Sequence, residues 1–339
     1  MKPLILAPLR GFTDAVFRNA FQRHFQGIDE AVAPFVTSIK GRRIKPSHLQ
    51  DLAPDENDGM PVVPQILSNH PDEFICLANT LFDMGYREIN WNLGCPYPMV
   101  AKKMRGSGLL PHADIIDRML EKILCQFAGN LSVKTRLGRF SADEIEPLFA
   151  VFNRYPLSRV IVHPRTGVQM YAGNVDLRAF ASCLACIDHP VVYNGDINDL
   201  AIFQTLKSLF PAVSGWMLGR GLVANPFLAE MIQGGTRHIC HGKARFAKFH
   251  EALVDGYGHR FCGSGHVLDR MKGFWRYFAD GFEDGRQILK RVRKTSSLER
   301  YRDVVAMVLD GQNRWGDQSE TPENGYPLPA VNPDGRFFG

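Results

Sequence analysis

The stretch NWNLGCPYP places Cys95 between a glycine and a proline, directly behind an apolar run that reads as a buried strand. A thiol has a reference pKa of roughly 8.5, so near neutral pH it is mostly protonated and can act as an acid. Gly94 and Pro96 would expose that thiol on a short loop and limit the loop's wandering. The same placement recurs along the chain. Apolar runs end at Gln65; at Asn92, just ahead of Cys95; at Lys134 and Arg136; at His163 and Arg165; at Asn194, Gly195 and Asp196; and at Gly219, Arg220 and Gly221. A lone strand histidine or lysine is ordinarily structural. Six successive runs with polar ends point instead to one shared site that combines an acid, an amine and an imidazole.

Eight short runs rich in Val, Ile and Leu must position these residues: 4–9, 30–36, 61–67, 88–93, 131–137, 159–165, 190–197 and 215–221. They are nearly continuously apolar, as strands buried on both faces are. Helical patterns fill most gaps, at 13–25, 70–85, 111–127 and 141–155, with start signals such as Thr13–Asp14 and Pro71. Such alternation predicts parallel βα units. Eight of them close naturally into a (β/α)8 TIM barrel; a doubly wound open sheet is the alternative. In a barrel the polar strand ends converge on the C-terminal mouth. NGD at 194–196 and GRG at 219–221 then put glycines in the loops after strands seven and eight. Backbone N–H groups there, with Arg220 and a helix N-terminus, can cradle a phosphate. A cofactor phosphate at that place suggests flavin mononucleotide with its ring over the mouth. Lys134 would lie beneath the ring and stabilise the negative charge of its reduced form. Gln65 would bond the ring's polar edge, and Pro8 and Leu9 would pack on it.

The bulk numbers agree with a large globular chain: 339 residues, 45% hydrophobic and 22% charged. No apolar run approaches the roughly 18 residues that a membrane span requires, so no membrane partner is expected. The opening MKPLILAPLRG reads as a first strand rather than a signal peptide, which makes the cytoplasm the expected compartment. Seven cysteines, an odd number, read as reduced thiols. Cys183 and Cys186 form a CxxC without a second pair, and His238, Cys240 and His241 have the wrong spacing for one helical face; no metal is expected. The net charge of +5 is unevenly spread. Arg237–Arg302 carries 15 Lys+Arg against 7 Asp+Glu, or +8, which leaves 25 against 28, or −3, elsewhere. A basic block behind a near-neutral body suits a polyanion, although a solvated helical surface would look the same. That block has no strand signal and three amphipathic stretches. The expected organisation is a catalytic barrel at 1–240, a smaller helical domain at 241–310 and a Pro/Gly-rich tail at 311–339.

The segments APLRGFTDAVFRNAF, NWNLGCPYPMVAKKMRGSGLL, SVKTRLG, VIVHPRTGVQMYAG, VVYNGDIND and GWMLGRGLVANPFL follow one another between about residues 3 and 230. Together they resemble the bacterial, FMN-dependent tRNA-dihydrouridine synthase family. The resemblance implies reduction of the C5–C6 bond of uridines in RNA, chiefly tRNA, by an enzyme that carries FMN and uses NADPH as reductant; a monomer is expected. By motif, cofactor contacts fall to Pro8, Leu9, Arg10, Gln65, Asn92, Lys134, His163, Asn194, Gly195, Asp196, Gly219 and Arg220. Asn92 would orient the uracil or the flavin, and Cys95 is the catalytic acid. The target base must be unstacked to enter a barrel mouth. The loop 101–108, with Lys102, Lys103 and Arg105, would close over its phosphates, and Arg165 would help from strand six. The basic block sits where the family carries its tRNA-binding domain. RNA backbone contacts are expected from Arg286, Lys290, Arg291, Arg293 and Lys294, extended by Lys272 and Arg276. Two positions depart from the family. Leu9-Arg10-Gly11 stands where Met-Glu-Gly is usual, which leaves the backbone to serve at position 10. Pro164 stands where a glycine is frequent and removes a backbone donor. Three other readings stay open: a small-molecule flavin reductase of the dihydroorotate dehydrogenase or enoate reductase kind, a non-catalytic tRNA-binding relative, and an aldolase-type barrel with Lys134 as Schiff-base nucleophile.

Overall fold

Ten parallel strand segments run in the order β3-β5-β6-β7-β8-β9-β10-β1-β2-β4 in the computed structural model, which describes residues 1–39, 44–57, 59–239 and 241–311. They are β1 Leu4–Leu6, β2 Glu30–Val32, β3 Val36–Thr37, β4 Val62–Val63, β5 Gln65–Leu67, β6 Glu88–Leu93, β7 Asn130–Gly138, β8 Val160–Thr166, β9 Val191–Asn194 and β10 Gly215–Leu218. The eight expected runs become ten segments because two are interrupted at a proline: Pro34 lies between β2 and β3, and Pro64 between β4 and β5. Proline lacks the N–H a ladder needs. Each interrupted pair is a single stave, since β2 pairs with β4 and β3 with β5. The ring therefore closes as a (β/α)8 barrel, with β1 joining β10 to β2.

Helices α1 (Ala15–His24), α2 (Pro46–Leu49), α3 (Pro71–Asp83), α4 (Pro98–Ala101) and α5 (Ala113–Gln126) lie in the first half of the barrel. They are followed by α6 (Glu146–Asn153), α7 (Leu177–Cys186), α8 (Leu200–Leu209), α9 (Arg220–Ala224) and α10 (Leu228–Gly234). The Asp14 side chain accepts from the Phe17 N–H and starts α1, and Asp176 and Asp199 do the same for α7 and α8.

Register decides which side chains face inward. Ile5, Val32, Val63, Ile161, Val192 and Met217 form a small apolar cluster inside the barrel, while the larger core lies between the strands and their helices. Lys134 pairs with Asn92 on one side and Ile161 on the other, and Arg136 pairs with His163. Side chains alternate along a strand. Asn90, Asn92, Lys134, Arg136, His163 and Asn194 therefore share the inward parity.

Beyond the barrel come α11 (Gly242–Arg260), α12 (Ser264–Phe278), α13 (Gly285–Arg293) and α14 (Leu298–Asp310). The third amphipathic stretch, 285–310, holds two helices, because the Ser297 side chain caps a new start by accepting from the Arg300 N–H. These helices join the barrel through aromatic rings. Phe12 meets Phe274 and Tyr277 edge-on at 5.2 and 5.0 Å, and Phe17 meets Phe249 at 5.7 Å. The Tyr257 hydroxyl donates to Asp14 at 2.8 Å. The expected tail lies, after Gly311, outside the described residues, as does Cys240. Among the described residues no helix is long and apolar enough to cross a membrane, and no three His, Cys, Asp or Glu side chains group as a metal site.

Candidate active site

A cavity of about 340 Å³ opens at the C-terminal ends of the strands. Its lining is apolar at Ala7, Pro8, Leu9 and Met217 and carries the basic side chains of Lys134, Arg136, His163 and Arg220. Of the expected cofactor contacts, Pro8, Leu9, Arg10, Asn92, Lys134, His163, Asn194, Gly195, Asp196, Gly219 and Arg220 all line it, and so does Cys95. Gln65 does not. It is fully buried behind Asn92, accepts from the Asn92 amide at 2.7 Å and donates to Asn90 at 2.8 Å. Asn90 in turn donates to Ser132 at 3.0 Å, so the amides form a chain across three staves.

That chain fixes Asn92, and Asn92 fixes Cys95. The Asn92 Oδ1 accepts from the N–H groups of Gly94 and Cys95 at 3.0 and 2.8 Å. The three carbonyls of the turn are each held by a different group. Arg136 Nε donates to the Gly94 carbonyl at 3.0 Å, Ser107 donates through N–H and hydroxyl to that of Cys95 at 3.0 and 2.9 Å, and Arg139 donates to that of Pro96 at 3.0 Å. Gly106 is needed in this clasp. Its φ is +57°, and a Cβ there would come within 2.8 Å of Cys95. The thiol is thus 6% exposed yet on the cavity wall. Burial pushes the Cys95 thiol up from its ordinary value, against the Tyr97 N–H and the nearby Arg10, Arg136 and Arg139, which pull it down. At neutral pH it stays a thiol.

Lys134 is pushed down to about 7, by burial first and by the adjacent Arg136 second, and forms no ion pair among the described residues. His163 is held well below its ordinary value by burial and by Arg136, Lys134, Arg165 and Arg220 around it. A guanidinium only donates, so the 3.2 Å contact from Arg165 Nη1 makes His163 Nε2 an acceptor and leaves the ring proton on Nδ1. Asp196 is the carboxylate of the cavity. It is bonded by Arg165 and, at 2.8 Å, by Arg220. With that charge neutralised, the cavity keeps a cationic excess suited to an anionic ligand.

The residues expected on RNA divide into two groups. Lys102, Lys103, Arg276, Arg286, Lys290, Arg291, Arg293 and Lys294 are exposed and enter no ion pair among the described residues. On α13 the cations surround a buried edge of Ile288 and Val292, which anchors the helix and leaves its charges outward. Three others are placed differently. Arg165 is 1% exposed and committed to Asp196 and the Gly173 carbonyl, so it is a buried brace and not an RNA-facing cation. Arg105 bonds Asn69 at 3.0 Å and lies 3.7 Å from Glu73, which ties its loop to the barrel. Lys272 donates to the Thr295 carbonyl behind α13. Several block cations are also consumed in packing, as in Arg245–Glu230 and Arg270–Asp14.

Other cavity residues were missed in the sequence. Tyr171 lies 6.4 Å from the His163 ring, with Arg136 and Arg220 over its face at 5.3 and 4.8 Å. Its signal was a single tyrosine in a polar loop after a strand. Phe35, beneath Arg10 at 5.5 Å, was hidden inside a run read as strand. Tyr277 reaches the cavity from α12, and no local pattern links an amphipathic helix to a barrel mouth.

The family model for dihydrouridine synthase (Dus) matches residues 5–283. A Rhodobacter capsulatus protein named "Probable tRNA-dihydrouridine synthase" is 29% identical over 266 residues, covering 76% of this chain and 81% of that one. A Staphylococcus epidermidis protein of the same name is 25% identical over 318 residues, 89% and 92% of the two chains. Among solved structures, a variant of NCR from Zymomonas mobilis aligns over 70% of this chain and 88% of that one, at 10% identity and a TM-score of 0.49. The barrel assignment rests on the strand pairing itself.

Proposed function

This chain belongs to the dihydrouridine synthase family, and from that premise we propose that it reduces the C5–C6 bond of specific uridines in tRNA to dihydrouridine. The observation that carries the reading is the Cys95 thiol, clasped in its turn and kept protonated, in the lining of a cavity that is both apolar and cationic. The donor set fits FMN. Pro8, Leu9 and Met217 offer an apolar face for a flat ring, Lys134 an unpaired amine at its base, and Gly195, Gly219 and Arg220 the surroundings for a phosphate. Asn194, Asp196 and His163 complete that lining, with Gln65 acting through Asn92. These residues would hold FMN, which once bound and reduced by NADPH would supply hydride chemistry at C6.

Cys95 supplies the proton for C5. Burial keeps the thiol loaded, and Arg10, Arg136 and Arg139 stabilise the thiolate left behind. Asn92, through the turn, sets where the proton is delivered. Lys134 offers positive charge at the cavity base, and a bound anion would hold its proton by raising its pKa. The helices from 241 to 310 are proposed as the RNA-binding unit beside the catalytic barrel of 1–240. Support comes from the exposed, unpaired cations of α13, in a position to meet phosphates.

The test is dihydrouridine mapping in RNA from a host stripped of its own dihydrouridine synthases, carrying either this protein or its Cys95→Ala variant. Dihydrouridine restored at a tRNA position by the native chain and not by the variant is expected. No dihydrouridine in any RNA, from a yellow and folded protein, would overturn the reading in favour of a small-molecule flavin reductase.

A further inference from the structure

Nine large hydrophobic side chains are exposed among the described residues, and six of them crowd onto three consecutive loops at the cavity mouth. Tyr97, Met99 and Met104 follow β6, Phe140 follows β7, and Val168 and Tyr171 follow β8. Isolated exposed apolar residues are ordinary; a contiguous set beside a site is not. The three loops are stitched into one surface. Arg139 donates to the Pro96 carbonyl and, at 3.2 Å, to Ser107 Oγ, while Val168 N–H donates to the Arg139 carbonyl at 2.9 Å. Phe140 is 67% exposed and Met99 78%, and the Arg139 guanidinium lies over the Phe140 ring at 5.8 Å.

Charge says what this surface meets. The loops after β6, β7 and β8 carry Lys102, Lys103, Arg105 and Arg139 against Asp143, Glu144 and Asp176; Glu144 is spent on the N–H groups of Arg139, Phe140 and Ser141, and Asp176 caps α7. Lys102 and Lys103 are exposed and enter no ion pair among the described residues, and apolar faces interleaved with such cations are the pattern of single-stranded nucleic-acid platforms, where bases stack and phosphates are neutralised. Resting on the tRNA reading above, we propose that this rim is a stacking platform for the unpaired bases that neighbour the nucleotide entering the cavity. Phe140 and Met99 are its outer contacts. The basic face of α13 would hold the phosphate backbone, and the rim would hold bases, so the two surfaces differ in salt dependence.

The experiment measures binding of an unmodified tRNA transcript by fluorescence anisotropy at two salt concentrations. It compares the native chain with Met99→Ala, Phe140→Ala, Phe140→Leu and Phe140→Trp, and follows oligomeric state by light scattering. Base–aromatic contacts are worth enough that Phe140→Ala and Phe140→Leu should each weaken binding by about fivefold or more. Phe140→Trp should retain affinity, and the salt slope should be unchanged in all four. Full affinity in Met99→Ala and Phe140→Ala overturns the platform, as does rescue by leucine equal to that by tryptophan, which would mark a merely greasy contact. A shift in oligomeric state with RNA affinity intact assigns the face to a second copy of the chain and also overturns it. The outcomes separate the two readings: a native chain that binds and reduces tRNA alongside unaffected variants removes the platform alone, whereas a native chain that binds no RNA removes both.

Discussion

Replacing Asn92 tests whether the amide chain beneath Cys95 is what aims the thiol. In Asn92→Ala the N–H of Cys95 and the Oε1 of Gln65 lose their partners in a buried setting, while the half-buried Gly94 N–H regains water. Each buried orphan costs about 1–3 kcal/mol, so the loss is about 2–6 kcal/mol, concentrated in the turn. Every 1.4 kcal/mol of local destabilisation raises the open population about tenfold. Alkylation of Cys95, followed residue by residue by mass spectrometry because Cys125, Cys186 and Cys262 are exposed, should therefore accelerate about tenfold or more at constant pH. Asn92→Asp is the informative control. Its carboxylate still accepts from both N–H groups, and Gln65 and Asn90 can each flip their amides while the Ser132 hydroxyl turns to donate. Every group then keeps a partner, and the turn should stay closed, with the thiol pushed further up by the new negative charge. Unchanged alkylation and an unchanged denaturation midpoint in Asn92→Ala would refute the idea that this side chain holds the turn.

Lys134, held down near 7, is penalised in the folded chain while it is charged, and the unfolded chain binds more protons between about pH 7 and the ordinary lysine value. Stability should rise with pH across that window, and in cofactor-free protein Lys134→Met should stabilise more at pH 6 than at pH 9; equal effects by denaturant titration would contradict the assigned burial. Gly221 sits where a Cβ would fall 2.2 Å from the Ile197 carbonyl, joining the loops after β9 and β10, so Gly221→Ala should cost about 1–3 kcal/mol and disturb the Arg220–Asp196 pair, checked by thermal unfolding. On α13, Arg291→Glu with Lys294→Glu, at the C-terminal end of the helix, should cost about 1–2 kcal/mol against the helix dipole and flatten the salt dependence of tRNA binding, measured by filter retention; an unaltered slope would take α13 off the RNA.

The barrel was legible because a strand buried on both faces writes itself as an uninterrupted apolar run, and because polar residues at the ends of such runs have little structural reason to be there. Cys95, Lys134, His163 and the two glycine loops could be named from the chain alone for that reason. The break of two staves at Pro34 and Pro64 left no mark on the count of runs, since a proline within an apolar stretch does not change its hydrophobicity. What the sequence could not decide is which charges are free. Arg165 and Arg293 read alike in a string of letters; one is sealed against Asp196 and the other faces solvent on α13. Nor could it show that Asn92 spends its carbonyl on the turn that carries Cys95, or that Tyr277 arrives at the mouth from a helix more than 180 residues beyond that cysteine. Strand type follows from local side-chain pattern. The partner of a buried donor or cation follows from which distant elements the closed ring brings within hydrogen-bond reach, and only the tertiary structure sets that.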